Sequence, residues 1–356
     1  MKQRTVLVFI ALLLFMLAGC GQEKETVQVQ QTGPDNEVVE QTAPPTPEEP
    51  KEEEPAFANT YPLTGIGTNE EVDHRVYAVM INNHPKARPQ SGLHNADIVY
   101  EVLAEGDVTR FLALYQSEQP KVVGPVRSAR HYFINLSNGY DALYVSHGWS
   151  PQAKAMLEAN KADYLQGLFY DGTLFKRADF RNAPHNSYIT YENILKGAEK
   201  IGYSMKQEVK PLVFLKEEEV AQLSGEKAND IFVNYYNSSY SAVEFEYKDS
   251  DDKYIRFNGG EQTVDLETNT PIAVDNIFII ETTHKVLDSV GRRDIDLNSG
   301  GKGLLFQNGV VQEVQWRNVD GKILPYLDGE PVGLLPGKTW ISIVPSLSDM
   351  VSFESN

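Results

Sequence analysis

From about Ala56 onward, short apolar runs alternate with polar, turn-forming segments, and their spacing sets the elements of the folded part of the chain. Val76 to Ile81 predicts a buried strand, followed by the turn chemistry of Asn82-Asn83-His84-Pro85. Lys86 to Gly92 has no periodicity and reads as a loop. Asp97 to Leu103 is a second strand, and Thr109 to Gln116, between Gly106 and the Ser117–Pro120 breaker, a third. Gly124-Pro125 places a proline where the first turn of a helix tolerates its missing N–H. Val126, Ala129, Phe133, Leu136 and Tyr140 then recur at helical spacing. A helix is predicted to start there, with Arg127, Ser128, Arg130 and His131 off its apolar stripe.

The pattern continues with a strand at Ala142 to Ser146 and a helix at Pro151 to Ala159 capped by Ser150. Phe175 to Asn186 reads as a surface loop, and Thr190 caps a helix running to about Ile201 before Gly202. Lys210 to Leu215 is read as a strand and Lys216 to Leu223 as a charged helix. Beyond that point the period is that of strands. Val243, Phe245 and Tyr247 alternate with Glu244, Glu246 and Lys248, and Tyr254 to Phe257 follows as the second arm of a hairpin. Ile277 to Ile280, Leu304 to Phe306, Val314 to Arg317 and Thr339 to Val344 complete a strand series, with Asn308-Gly309 as a turn. Gly300 to Gly303 has neither a following helix nor a P-loop ending, so it reads as a turn rather than a phosphate loop. The fold class is therefore read as α+β / α/β with two domains. A mixed α/β domain at residues 56–205 is joined by residues 206–229 to a β-rich domain at 230–356.

The segment before Ala56 is of another kind. Lys2 and Arg4 precede an apolar run from Val6 to Leu17, which has the form of a secretory signal and is short for a membrane span. Residues 1–20 are read as a signal with its lipobox: Leu17-Ala18-Gly19-Cys20 resembles the bacterial lipobox, which implies cleavage before Cys20 and lipidation of Cys20 as the mature N-terminus. Cys20 is the sole cysteine, so no disulfide forms within one chain and the core must hold the fold. Residues 21–55 carry ten acidic residues against two lysines and almost no aromatics. Such a segment cannot bury apolar surface; it reads as a solvated tether with a span of about 35 Å.

The net charge of −18, eight units of it in the tether, opposes general nucleic-acid binding, which needs a basic face. An anion site must then be local. Two arginines at the predicted helix start repel the positive end of the dipole unless an anion lies between them. The candidate ligand-binding residues are Arg88, Arg110, Arg127, Ser128, Arg130, His147, Ser150, Arg181 and His185, with Arg177 beside them. The competing reading pairs these arginines with Asp97, Glu101, Glu105, Asp107 and Asp179 in a structural network. His131, His147 and His185 have no metal-ligand spacing, so neither metal nor cofactor is expected. His74, His84, His94 and His284 read as loop or core histidines.

Arg88-Pro89-Gln90-Ser91-Gly92-Leu93, Ala96 to Glu101, Thr109-Arg110-Phe111, Val123 to Arg130 and Ala183-Pro184-His185-Asn186 resemble the signature segments of the YerB family of bacterial surface lipoproteins. In the C-terminal part, Gly301-Lys302-Gly303, Trp316 and Pro336 to Ile341 continue the likeness. The resemblance implies a two-domain, lipid-anchored protein on the outer face of a Gram-positive membrane, in a family defined by a domain of unknown function. It supplies no reaction. Three classes remain open. The first is a binding or accessory protein for an anionic envelope component. The second is an enzyme, a phosphotransferase or hydrolase, acting on anionic envelope polymers. Its layout resembles LytR-type phosphotransferases, and a hydrolase would need His147 or His185 as base beside Ser128, Glu105 or Ser150. The third is a scaffold for a membrane or wall enzyme, which could use Tyr144, Trp149, Phe169, Tyr170 or Phe175 as partner surface.

Overall fold

The computed structural model describes residues 57–235 and 242–355; the signal, Cys20 and the tether lie outside the described residues. Apolar runs buried on both sides form the centre of the structure. In chain order, the first half supplies β1 (Tyr77–Asn82), β2 (Ile98–Glu105), β3 (Val108–Tyr115), α1 (His131–Asn138), β4 (Leu143–Ser146), α2 (Pro151–Glu158), β5 (Tyr164–Gln166), β6 (Ser187–Thr190) and α3 (Tyr191–Ile201). The second half supplies β7 (Asp230–Asn234), β8 (Ala242–Lys248), β9 (Lys253–Asn258), β10 (Asn276–Glu281), β11 (Gly301–Gln307), β12 (Val310–Val319), β13 (Lys322–Leu327), β14 (Glu330–Pro331), β15 (Thr339–Val344) and β16 (Val351–Glu354).

One sheet runs through both halves in the order β14-β13-β12-β11-β10-β15-β2-β3-β1-β4-β5. Its joint is β15, which pairs parallel to β10 on one side and parallel to β2 on the other, with Trp340 opposite Ile277 and Val99. Side chains alternate across the sheet, so Tyr77, Val79, Ile81 and Trp340 pack on one face and Ala78, Met80, Ile341 and Ile343 on the other. Burial of both faces explains why these strands read as unbroken apolar runs. α1 and α2 cover the second face through Tyr132, Phe133, Leu136, Ala153 and Leu157. The first face is covered by Ile194 and Ala198 of α3 and by a second sheet, in which β9, β8, β7 and β16 are successive neighbours. The protein is thus strand-rich, with several sheets.

Local capping holds where it was legible. Ser150 Oγ accepts from Ala153 N–H at 3.3 Å with Pro151 at the first helical position. Thr190 Oγ1 accepts from Asn193 N–H at 3.2 Å, and Gly202 closes α3 at φ 90°. Four expectations are corrected. The helix predicted from Pro125 begins instead at His131. Residues 126–130 are extended because they hydrogen-bond to other segments: Val126 N–H donates to Ser187 O (2.6 Å), Arg127 N–H to Met80 O (2.8 Å) and Ala129 N–H to Gly148 O (2.9 Å). Tertiary pairing overrides the helical period, and Arg127 stands at no helix start. Lys210 to Leu215 forms a single bridge, Phe214 to Leu334, rather than a strand, and the helix after it is one turn, Glu217–Val220. The turn expected at Gly300–Gly303 passes directly into β11 at Gly301.

Between the two sheets lies an ion pair the sequence did not announce. Arg256 on β9 and Glu101 on β2 are both fully buried, with Arg256 Nη2 3.0 Å from Glu101 Oε2. The carboxylate also accepts from Thr109 Oγ1 (2.8 Å), Asn83 Nδ2 (3.2 Å) and Trp340 Nε1 (3.2 Å). The guanidinium lies 4.7 Å from the Trp340 ring and 5.3 Å from Phe111. Breaking one side of such a pair strands the other charge in the core. Arg256→Ala is therefore expected to lower unfolding stability by about 3–5 kcal/mol in urea titration. The double variant Glu101→Met/Arg256→Met should recover only part of that loss, because Thr109 and Trp340 then lose their acceptor and Asn83 keeps only Thr109 Oγ1.

Candidate functional site

The extended segment Pro125 to Arg130 brings most of the predicted site residues to one place. It is clamped on both sides, since Arg127 carbonyl accepts from His147 N–H (2.9 Å) while its N–H holds Met80. Gly124, at φ 158°, allows the close approach: a Cβ there would sit 2.6 Å from the Tyr188 ring and 2.9 Å from Ser187 O.

The arginines on this segment differ sharply in their partners. Arg110 is buried and donates from Nη2 to both oxygens of Glu105, at 2.9 and 2.8 Å, and from Nη1 to Ser128 O at 2.6 Å. Arg130 pairs with the same Glu105 and donates to Ala129 O at 2.8 Å. Glu105 is the partner expected by the structural reading, and it serves two cations. Arg127 is half-buried, and among the described residues its guanidinium has no ion pair or hydrogen bond. Burial, reinforced by the nearby charge of Arg110, pushes its pKa down to about 10.

Three histidines feel the charge of Arg127: His84, His147 and His185. Each is held below the ordinary histidine value, first by burial and then by surrounding cations. His185 is pushed lowest, to about 4, with His84, Arg127, Lys86 and Arg181 adding to the effect of burial. The rings of His84 and His185 lie 4.5 Å apart. Their tautomers follow from their donors. Lys86 N–H donates to His84 Nδ1 (3.1 Å) and Asn82 Nδ2 to His185 Nδ1 (2.9 Å), so both neutral rings carry the proton on Nε2. At His147, Arg177 Nη2 lies 3.0 Å from Nε2 and can only donate, so Nδ1–H donates to Ser187 Oγ at 2.7 Å. Arg177 is itself neutralised by Asp171 at 2.9 Å.

The arrangement therefore unites Arg110, Arg127, Ser128, Arg130, His147 and His185. Arg181 stands close enough to act on His185, although its guanidinium is engaged by Tyr188 Oη (2.5 Å) and Pro89 O (2.7 Å). Two residues are spent elsewhere. Ser150 is buried as the α2 cap, and Arg88 donates to Asn83 Oδ1 (3.0 Å) and O (2.8 Å) in the wall of a separate cavity. His131 faces Asp294, 2.8 Å away, rather than the other histidines. Among the described residues no group of metal-ligating side chains comes together. The sequence reading passed over His84, Asn82 and Ser187; the only local signal was that His84 precedes a proline in a turn facing the Arg88 loop. Of the aromatic residues considered as partner surface, Tyr144 and Phe175 are core, whereas Phe169 is 61% exposed.

Two family models match successive parts of the chain. The N-terminal domain of the protein of unknown function DUF3048 matches residues 63–204, and its C-terminal domain matches residues 231–341. YerB of Bacillus subtilis (strain 168), which its name calls a lipoprotein, is 54% identical over 288 residues, covering 80% of this chain and 86% of that protein. The crystal structure of the YerB protein from Bacillus subtilis superposes with a TM-score of 0.78 at 51% identity, covering 83% of this chain and all of the other. The two matched domains share the single sheet joined by β15. Identity at this level over most of the chain, together with both domain matches, shows that the protein belongs to the YerB family, whose domains are of unknown function.

Proposed function

We propose that the protein is a lipid-anchored, extracytoplasmic binding or accessory lipoprotein of the cell envelope. Cys20 carries the lipid, residues 21–55 act as the tether, and the mixed α/β domain at 56–205 holds an anion site. Residues 206–229 connect it to the β-rich domain at 230–356. The observation that supports this reading is the unneutralised Arg127 guanidinium, set among three neutral histidines and beside two arginines that share one carboxylate. A partly buried charge without a counter-charge is costly, and a bound anion offsets that cost. The site suits a phosphate- or carboxylate-bearing envelope component, with Arg127 as the charged contact and the Nε2–H groups of His84 and His185 as neutral donors.

A hydrolytic role is less well supported. Ser128 Oγ donates to the carbonyl of His147 (3.2 Å), not to its ring, and both ring nitrogens of His147 are engaged. Ser187 Oγ accepts the hydrogen bond from His147 Nδ1–H rather than donating one, which is the wrong direction for activating a nucleophile.

Thermal-shift titration of the chain from Ala56 onward with phosphate-bearing and carboxylated envelope fragments tests the binding reading. At a hundredfold excess over Kd, a binding fragment should raise Tm by about 5 °C. Arg127→Ala should weaken that fragment roughly 10- to 150-fold while remaining folded, as expected for a lost charge-assisted contact. No shift with any fragment would turn the search to protein partners of a scaffold.

The second expectation concerns pH. His185 is neutral at pH 7 because its pKa lies near 4, and a bound anion favours its charged form, raising that pKa. Binding should therefore take up protons, and affinity should increase as pH falls from 7 toward 5. Calorimetry in two buffers of different ionisation enthalpy reads the uptake; His185→Asn should flatten the pH dependence.

A further inference from the structure

The second sheet ends on a strand with one side open. Among the described residues, β16 has a single strand neighbour, β7. In an antiparallel ladder the N–H and C=O of one residue point to the same side, and those of the next residue to the other. Val351 N–H donates to Leu347 O, in the helical turn Leu347–Met350 that precedes β16, and so points away from β7. Phe353, two residues on, therefore turns its N–H and C=O to the open side. Glu354, between that pattern's outward residues, should face β7, and its carbonyl does accept from Asn229 N–H at 2.9 Å.

Beyond this edge the main sheet is incompletely covered. Leu304 stands opposite Glu313 and Gln315 opposite Tyr326, so these four share the face on which the second sheet packs. They line a cleft of about 860 Å³ together with Leu347, Val351 and Phe353. The four apolar aliphatic and phenyl side chains among them, Leu304, Leu347, Val351 and Phe353, are only partly buried. Neighbouring strands lie about 4.8 Å apart and packed sheets about 10 Å. A strand added to β16 would thus lie over Leu304 and Tyr326 and pair with both main-chain groups of Phe353.

The outer face of the same edge sets the charge of such a strand. Asp230 on β7 stands directly opposite Glu246 on β8 and directly opposite Glu354 on β16, a row of three carboxylates across three strands. Like charges so placed are destabilising. Lys248 offsets one end through Glu246, at 2.6 Å. At the other end the Glu354 carboxylate has neither an ion pair nor a hydrogen bond among the described residues. The cleft adds Glu281, Glu313 and Asp328 against Lys302. In an added strand the residue opposite Phe353 faces the cleft and should be apolar, while its neighbour opposite Glu354 faces outward and should be basic. We propose that this edge binds an extended segment of a partner protein in which apolar and basic residues alternate, added antiparallel to β16. Main-chain bonds to an open edge give such a complex its affinity and alternate side chains its specificity.

The test uses the full-length chain in detergent and a short amidated peptide alternating valine and lysine, labelled with fluorescein and read by anisotropy. In the proposed register the valine N–H groups point to β16 and the lysine N–H groups away from it. N-methylation of the valines should therefore weaken binding at least about tenfold, the scale of lost main-chain bonds, while N-methylation of the lysines leaves it nearly unchanged. Glu354→Lys, at an exposed position, should weaken the lysine peptide and favour one with glutamate in place of lysine. Arg127→Ala should have no effect, because the edge shares no residue with the anion cluster. No binding of the unmodified peptide overturns the proposal, as does equal loss on methylating either residue type. A lysine peptide that binds folded Glu354→Lys as well as the parent, or that is lost in Arg127→Ala, is held elsewhere and overturns it too.

Discussion

Two opposite charges taken wholly out of water, Glu101 and Arg256, are the constraint around which the rest of the body is arranged. They reach toward each other from different sheets, β2 and β9, and neither has access to solvent. Desolvating both is tolerable only if the remaining lone pairs and protons are met with good geometry. Thr109, Asn83 and Trp340 meet the carboxylate, and Thr263 meets one end of the guanidinium. Trp340 belongs to β15, the strand that joins the two halves of the main sheet. The same few atoms therefore hold the β2–β15 register and the seat of the second sheet on the first.

That arrangement also accounts for the position of the candidate site. The Asn83 turn is tied down by its bonds to Glu101 and Thr109, and the chain leaving it carries His84 to one side and Arg88 and Gln90 to the other. His84 joins the Arg127 cluster; Arg88 and Gln90 line the cavity that ends on Arg256. Within the cluster, charge is distributed unevenly. Glu105 neutralises Arg110 and Arg130 together, and Arg127 is left over. In a protein of net charge −18, a local surplus of cations at a half-buried point runs against the global field.

Much of the architecture was open to a reading of periodicity and caps, because those signals act over a few residues. The Ser150-Pro151 and Thr190…Gly202 boundaries of α2 and α3 are written in side-chain oxygens and a left-handed glycine, and they stand as read. The alternation at Val243, Phe245 and Tyr247 placed β8 with one wetter face, and the Thr339 to Val344 run was recognised to the residue. The reading failed where a segment had two ways to satisfy its backbone. Val126 to Arg130 fits a helical stripe by composition, yet its N–H groups find Ser187, Met80 and Gly148 instead. Those partners are distant in sequence and leave no mark in the local pattern.

The candidate site divides along the same line. Residue type and clustering were enough to single out Arg110, Arg127, Arg130, His147 and His185, since cations grouped in an acidic chain are visible without coordinates. Which arginine would remain unpaired was not, because Glu105, Arg110 and Arg130 meet only after β2, β3 and the 125–130 segment are folded together. Nor could the chain order reveal that the rings of His84 and His185 lie against each other, or that Gln90 and Arg256 line one cavity. Local chemistry determined the elements, the lipobox-like motif and the stock of cations; long-range packing decided which charges are cancelled, which histidine tautomers are imposed and which buried polar atoms are left without a partner.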